Sequence, residues 1–279
     1  MTVGAFEFEN AGAESRSVSA RAMAVLRPII SIGVPLLLWE AAARAGWINT
    51  FLFPPPSAIA LTLWNDLGFG GKPGKLPLHI ALSLYRLLSG MVLAVFVGTL
   101  VGVAIGMTAW GRAIFKPIIS AMMPIPTLAW TPILLLITGI DNKTTIIIVF
   151  IAALFEVVYN IVAGIEMMNV RVFWVARSMG ASKYQIFWKV IIPGILPYLI
   201  TGIRLGSGYA WRALIAAEML AASSYGLGFM IFDASEYMSM TEIYAGLAVI
   251  AVLGYLIENI LIGRLEAATV ERWGVQVER

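Results

Sequence analysis

Long apolar runs alternate with short polar breaks along the chain. Six apolar stretches stand out, near Ile29–Ala45, Leu82–Met107, Ile118–Ile137, Thr144–Gly164, Val190–Ala222 and Ile243–Ile262. About 20 apolar residues at about 1.5 Å each cross about 30 Å of hydrocarbon. The pattern predicts six membrane-spanning helices and an all-α integral membrane protein. Composition agrees: 60% of the 279 residues are hydrophobic and 13% charged, where a soluble domain carries about a quarter charged.

An even number of spans puts both termini on one side, and basic residues choose the side. With the termini inside, the inner segments hold twelve Lys and Arg residues. The outer segments hold four: Arg44, Lys72, Lys75 and Lys143. The expected layout is a mobile cytoplasmic tail over residues 1–24, a membrane domain over 25–265 and a cytoplasmic tail over 266–279. The net charge of +3 belongs to this orientation rather than to nucleic-acid binding. There is no cysteine and one histidine, His79. That excludes disulfides and thiol chemistry and leaves no histidine metal cluster. No clustered carboxylates form a catalytic set, and "FGGKPGK" lacks phosphate-loop spacing, so neither a catalytic nor a metal site is expected.

Three local features carry structural information. Pro54–Pro56 stop any helix, and Ile59, Ala60, Leu63, Trp64 and Leu67 then share one face of a short interfacial helix. Gly98, Gly102 and Gly106 recur every four residues, which lets a second helix approach closely in lipid. The third stretch holds Pro117, Pro124, Pro126 and Pro132. Broken backbone at membrane depth survives only when buried in protein or beside a watery cavity.

"VARSMGASKYQIFWKVIIPGILP", Val175–Pro197, interrupts the apolar pattern with basic residues. Asn169 is placed to cap a helix over Val170–Met179, and Gly180 to end it in the left-handed conformation. Ser182 and Gln185 have capping-box spacing for a second helix. Val172, Val175, Ala176 and Met179 form an apolar stripe suited to lying on the protein, while Phe173, Trp174 and Arg177 project elsewhere. Those aromatics suit either a partner's cleft or the lipid headgroups.

Ala176 through Gly180 to Pro193 reads A-x-x-x-G-A-S-x-x-x-x-F-x-x-V-x-x-P. This resembles the cytoplasmic "EAA–Gly–(nine residues)–I-x-L-P" loop in permease subunits of ATP-binding-cassette importers. "FPPPS", "PIPTLAWTPILLLITGI" and "GIRLGSGYAWRALIAAEMLAASSYGLGFMI" resemble the nitrate/sulfonate/taurine branch, so the likeness covers about residues 25 to 265. One departure is Trp174, where the loop normally carries an acid; Val175 follows it, and only Ala176 keeps the "EAA" identity.

The resemblance implies a six-span type I importer fold in the bacterial inner membrane. Its coupling loop would cover about residues 169–189, with Phe173, Trp174, Ala176, Arg177, Gly180, Ala181 and Ser182 facing the ATPase. It implies a homodimeric permease, two ATPase subunits that carry ATP and magnesium, and an external substrate-binding protein. The permease itself would be no enzyme and would hold no cofactor. The cargo class implied is a small anionic or zwitterionic solute such as a sulfonate, taurine or nitrate.

In the fifth stretch Arg204, Gly208, Trp211, Ile215 and Glu218 form one continuous helical stripe. A charge at mid-bilayer costs about 2.5–3.5 kcal/mol, so such residues avoid lipid. The expected pathway set is Pro126, Trp130, Glu156, Gly208, Trp211, Arg212 and Glu218. Arg212 is the candidate for attracting an anion, and two readings stand for it: a free cation, or a structural pair with Glu156. Glu40 and Arg44 suit a simple helix pair, and Glu258 a pair with a cytoplasmic arginine. Ser223–Ser239 reads as a short re-entrant or interfacial helix on the outer side. The competing function is a proton-coupled secondary transporter with Glu156 and Glu218 as relay.

Overall fold

The computed structural model describes residues 30–71, 73–222 and 224–269, with side chains to residue 266. The tail expected at 1–24, residues 270–279 of that expected at 266–279, Lys72 and Ser223 lie outside the described residues. The chain divides into two compact units, Met1–Trp64 and Asn65–Arg279.

In the first unit residues 30–44 form helix α1. Near its end Glu40 accepts hydrogen bonds from Arg44 Nε at 2.6 Å, Ser57 N at 3.0 Å and Ser57 Oγ at 2.8 Å. The expected Glu40–Arg44 pair therefore also ties down the start of α2, Pro56–Asp66, just after the three prolines.

The second unit is a helical bundle. Its helices are α3 (Leu76–Gly106), α4 (Ala109–Met122), α5 (Thr131–Thr138), α6 (Asn142–Met167), α7 (Val170–Ser178) and α8 (Lys183–Ile186). They are followed by α9 (Ile192–Ala221), α10 (Leu227–Glu236), α11 (Met240–Tyr255) and α12 (Ile262–Thr269). Four continuous stretches are long and apolar enough to cross a membrane: Leu76–Gly106, Asn142–Met167, Lys183–Ala221 and Met240–Glu266. The third apolar run is two helices bent by 92°, Ala109–Met122 and Thr127–Thr138. The break falls at Pro124 and Pro126, where two backbone donors are missing.

Two boundaries differ from the sequence pattern. Helix α8 does not end before the fifth span. It runs through a π-turn, Phe187–Ile191, into α9 as one continuous helix, and Pro193, which has no amide to donate to the preceding turn, follows directly on that widened turn. The last span continues through a second π-turn, Leu256–Leu261, into α12.

Helix α6 is the central post, packed between α3 and α9. The glycine stripe explains how α3 comes so close. A Cβ on Gly98 would meet Val157 at 2.9 Å, one on Gly102 would meet Ile161 at 2.9 Å, and one on Gly106 would meet Ile165 at 2.5 Å. The branched side chains of α6 sit where the glycines leave room, with Val157 and Ile161 fully buried. Dispersion between these closely packed surfaces, rather than exclusion from lipid, holds such helices together.

Candidate functional site

Helix α7 starts where Asn169 Oδ1 accepts from Arg171 N at 2.9 Å. It ends at Gly180, φ +77°, with Ala181 N bonded to Ala176 O at 3.0 Å. Both halves of the Ser182–Gln185 capping box form, at 2.8 and 3.2 Å. The turn between α7 and α8 thus has its orphan amides and carbonyls satisfied locally, which makes it a stiff hook.

The faces of α7 are rotated from the sequence expectation. Phe173, Ala176 and Ala181 pack on the buried cluster of Val103, Val157, Ile161, Ile186, Ile191 and Ile195. Phe173 therefore does not project beside Trp174; it anchors the hook to the bundle. Val175 and Met179, expected to lie on the protein, stand exposed. Trp174 is 69% exposed and Met179 82%, with Val170, Val172 and Tyr184 exposed nearby. Arg177, Gly180 and Ser182 are exposed as well. At the same end of the bundle, Glu166 pairs with Lys116 and, at 3.8 Å, with Arg112.

The expected pathway residues fall into three separate surroundings. The first is a cleft beside the proline break. Trp130 and Glu156 line it with Met123, Thr127, Phe155 and Tyr209. Glu156 is 9% exposed, and no ion pair or side-chain hydrogen bond to its carboxylate forms among the described residues. Pro126 is exposed at the N-terminal edge of the 3₁₀ turn that carries Trp130.

The second surrounding is the seam between α9 and the last span. A Cβ on Gly208 would meet Glu258 Oε1 at 2.8 Å, and one on Gly254 would meet Trp211 Nε1 at 2.8 Å. Trp211 is buried there, and Arg204 pairs with Glu266. The stripe is one face, as expected, but that face is largely occupied by a neighbouring helix. Arg212 does not pair with Glu156. Its Nη2 lies 3.9 Å from Glu258, and its guanidinium stands over the Tyr209 ring at 5.9 Å from the centroid. Arg212 stays 71% exposed. Glu258 thus meets an arginine of a span rather than a cytoplasmic one.

The third surrounding is a polar lock at the opposite end of the bundle from the hook. Glu218, fully buried, accepts from Arg86 Nη1 at 2.6 Å, Gly228 N at 3.0 Å and the Ser83 hydroxyl at 2.8 Å. Ser83 Oγ in turn accepts from Leu227 N at 2.8 Å. Arg86 Nε reaches Asn142 Oδ1 at 2.8 Å. His79 Nδ1 lies 2.7 Å from the Gly226 carbonyl and 3.1 Å from its amide. Nδ1 meets a carbonyl and an amide of one residue, so either tautomer of the ring finds a partner there. These contacts fasten α3, α6 and α9 to the first amides of α10, where a carboxylate also complements the helix dipole. Arg86 and Ser83 were missed by sequence reasoning. A serine four positions and an arginine seven positions after a lone histidine, on one helical face inside an apolar run, were the available signal.

Comparison with known proteins follows this geometry. Residues 90–273 match the family described as "Binding-protein-dependent transport system inner membrane component". The chain is 36% identical over 231 residues to the taurine transport system permease protein TauC of Escherichia coli (strain K12), covering 82% of this chain and 83% of that one. It is 29% identical over 256 residues to the putative aliphatic sulfonates transport permease protein SsuC of Bacillus subtilis (strain 168), covering 92% and 91%. It is 31% identical over 242 residues to the nitrate import permease protein NrtB of Synechocystis sp., covering 85% and 86%. In fold it resembles the MetNI methionine ABC transporter in an inward facing conformation, with TM-score 0.55 and 20% identity over 67% of this chain and 94% of that one.

Proposed function

The chain belongs to the binding-protein-dependent inner membrane components, the permeases of ATP-binding-cassette importers, and on that premise we propose that it is the span-forming subunit of an importer for small sulfonate-type anions or zwitterions. It sits in the bacterial inner membrane with both termini cytoplasmic, as a homodimer served by two ATPase subunits and an external binding protein. Residues 25–265 form its membrane domain. ATP and magnesium belong to the ATPases.

The observation that carries this reading is the hook. Phe173, Ala176 and Ala181 seat it on the core, while Trp174, Val175 and Met179 present an uncovered apolar face. A rigidly mounted aromatic knob of this kind suits a groove in a separate protein. Closure of the two ATPases then pushes α7, and the push passes through Phe173 into the α6–α9 core as a rigid-body switch. Trp174 replaces the acid usual at its position, so docking relies on burial rather than on a salt bridge. Arg212, exposed on the span beside Tyr209, is the group that attracts the cargo's acidic end.

Glu218 is held by Arg86, Ser83 and Gly228, which counts against its serving as one half of a proton relay. Uptake into vesicles by the permease alone, driven by a proton gradient without ATP, would overturn the importer reading. Within it, Gly180→Val tests the hook. Valine strongly resists a φ of +77°, so ATP-dependent uptake falls at least about tenfold for a mispositioned contact, while membrane insertion holds. Unchanged uptake by that variant removes the coupling role.

A further inference from the structure

Glu156 is nine-tenths buried in mid-span, yet the groups around it are wrong for a structural carboxylate. The cleft it lines offers Trp130, Phe155 and Tyr209 rings, methionines and the Thr127 hydroxyl. No lysine or arginine lines it. Arg212 stands over the ring of Tyr209, which lines the cleft, and reaches toward Glu258 rather than Glu156. An unpaired carboxylate in a low-dielectric site costs several kcal/mol unless a cation or a proton neutralises it.

The space beside it is about 30 Å³, close to the volume of one water molecule. A compact ammonium head suits so small a cleft better than a bulkier sulfonate. Three aromatic rings around a carboxylate form a surround that favours a cation, because ring faces carry negative potential. A sulfonate, nitrate or bicarbonate ion would be repelled there by the Glu156 carboxylate, with no cationic side chain lining the cleft to offset it.

We propose that Glu156 with Trp130, Phe155 and Tyr209 is the recognition pocket for a protonated amine of the cargo. The cargo is then a zwitterion, an amino-sulfonate or similar amino acid analogue, rather than a simple anion. This rests on the importer reading and sharpens it: the amine enters the Glu156 cleft, and the acidic end lies toward Arg212 on the far side of the Tyr209 ring. The charges of such a cargo would be matched by two side chains rather than left bare in the span.

The test compares taurine with isethionate, which carries a hydroxyl in place of the ammonium. Both are offered to the complete importer in proteoliposomes with ATP and the same binding protein, so that protein's own preference cancels between wild type and variant. Glu156→Gln should lower taurine uptake about ten- to a hundredfold, the loss of one charge-assisted contact. It should leave isethionate uptake unchanged wherever the wild type carries it. Glu156→Asp should recover part of the taurine rate. Assembly with the ATPase and basal ATP hydrolysis serve as the folding check. Equal losses for both solutes, or no loss, overturn the proposal. So does a wild-type importer that carries isethionate or nitrate but not taurine, while leaving the importer reading intact. ATP-independent uptake, or none of any of these solutes, would sink the importer reading itself.

Discussion

Glu218 and Glu156 sit on neighbouring helices of one bundle, and the fold gives them opposite surroundings. Glu218 has a guanidinium, a hydroxyl and a backbone amide within 3.0 Å. Glu156 has aromatic and thioether groups and no cation. Both are acids in apolar helices, so hydropathy treats them alike. The donor set separates them: a saturated carboxylate holds structure, whereas an unsaturated one waits for something outside the chain.

The largest expected effect comes from deleting the saturated acid. Glu218→Ala strands a buried guanidinium, and breaking a buried pair from one side costs about 3–5 kcal/mol. A large drop in the thermal midpoint of the detergent-purified permease, or loss of folded yield, is the expected result. Glu156→Ala should not lower that midpoint, because it strands no partner and removes a carboxylate that is itself buried without a cation. Replacing both lock partners, Arg86→Met with Glu218→Leu, should recover much of the loss. Equal destabilisation by the two single variants would break the comparison.

Gly226→Ala attacks the same lock without touching a charge. Gly226 has φ +153°, and an added Cβ would meet Arg86 Nη1 at 2.5 Å and the Glu218 carboxyl carbon at 2.6 Å. Backbone strain of this kind costs about 1–3 kcal/mol, and the methyl must also push the ion pair apart. The expected midpoint shift is smaller than for Glu218→Ala. Loss of stability near zero would mean that the start of α10 is not seated on the pair.

Much of this was legible in the sequence. Of the six apolar runs, four coincide with continuous helices of spanning length and a fifth with the bent pair, while the first corresponds to the shorter α1. Gly98, Gly102 and Gly106 announced a close helix contact, and Asn169, Gly180 and the Ser182–Gln185 box announced the hook. These are local signals, set by residues within one or two turns. The lock was not legible, because Arg86 and Glu218 are separated by 132 positions and periodicity within one helix does not name its neighbour. The same limit explains the rotated α7. Phe173 and the Val175–Met179 stripe are both apolar, and only the cluster around Ile186 and Ile191 decides which one turns inward. Of the two readings that stood for Arg212, the pair with Glu156 fails for the same reason, since the fold turns the guanidinium toward Glu258. The stripe from Arg204 to Glu218 was read correctly as one face, but that face meets Glu266, Glu258, Gly254 and then Arg86 in succession.

A third carboxylate lies between the two extremes and carries the smallest prediction. Asp66, at the end of α2 and outside the spans, has one oxygen buried without a hydrogen-bond partner. Partial burial pushes its carboxyl above the ordinary range, with the charges of His79 and Lys75 opposing that shift. A raised value in the folded state means that folding favours the protonated acid. Stability from this group is therefore greatest at low pH and declines as pH rises from the unfolded carboxyl value, about 3.9, through the folded one. Asn cannot ionise, so Asp66→Asn should be slightly more stable than wild type at pH 7, with the advantage fading as the medium is acidified toward the ordinary carboxyl range. Midpoints measured for both proteins across that range give the difference directly, since every other acid cancels. If Asp66→Asn is instead less stable at pH 7, Asp66 has a cationic partner and stands with Glu218 rather than between the two.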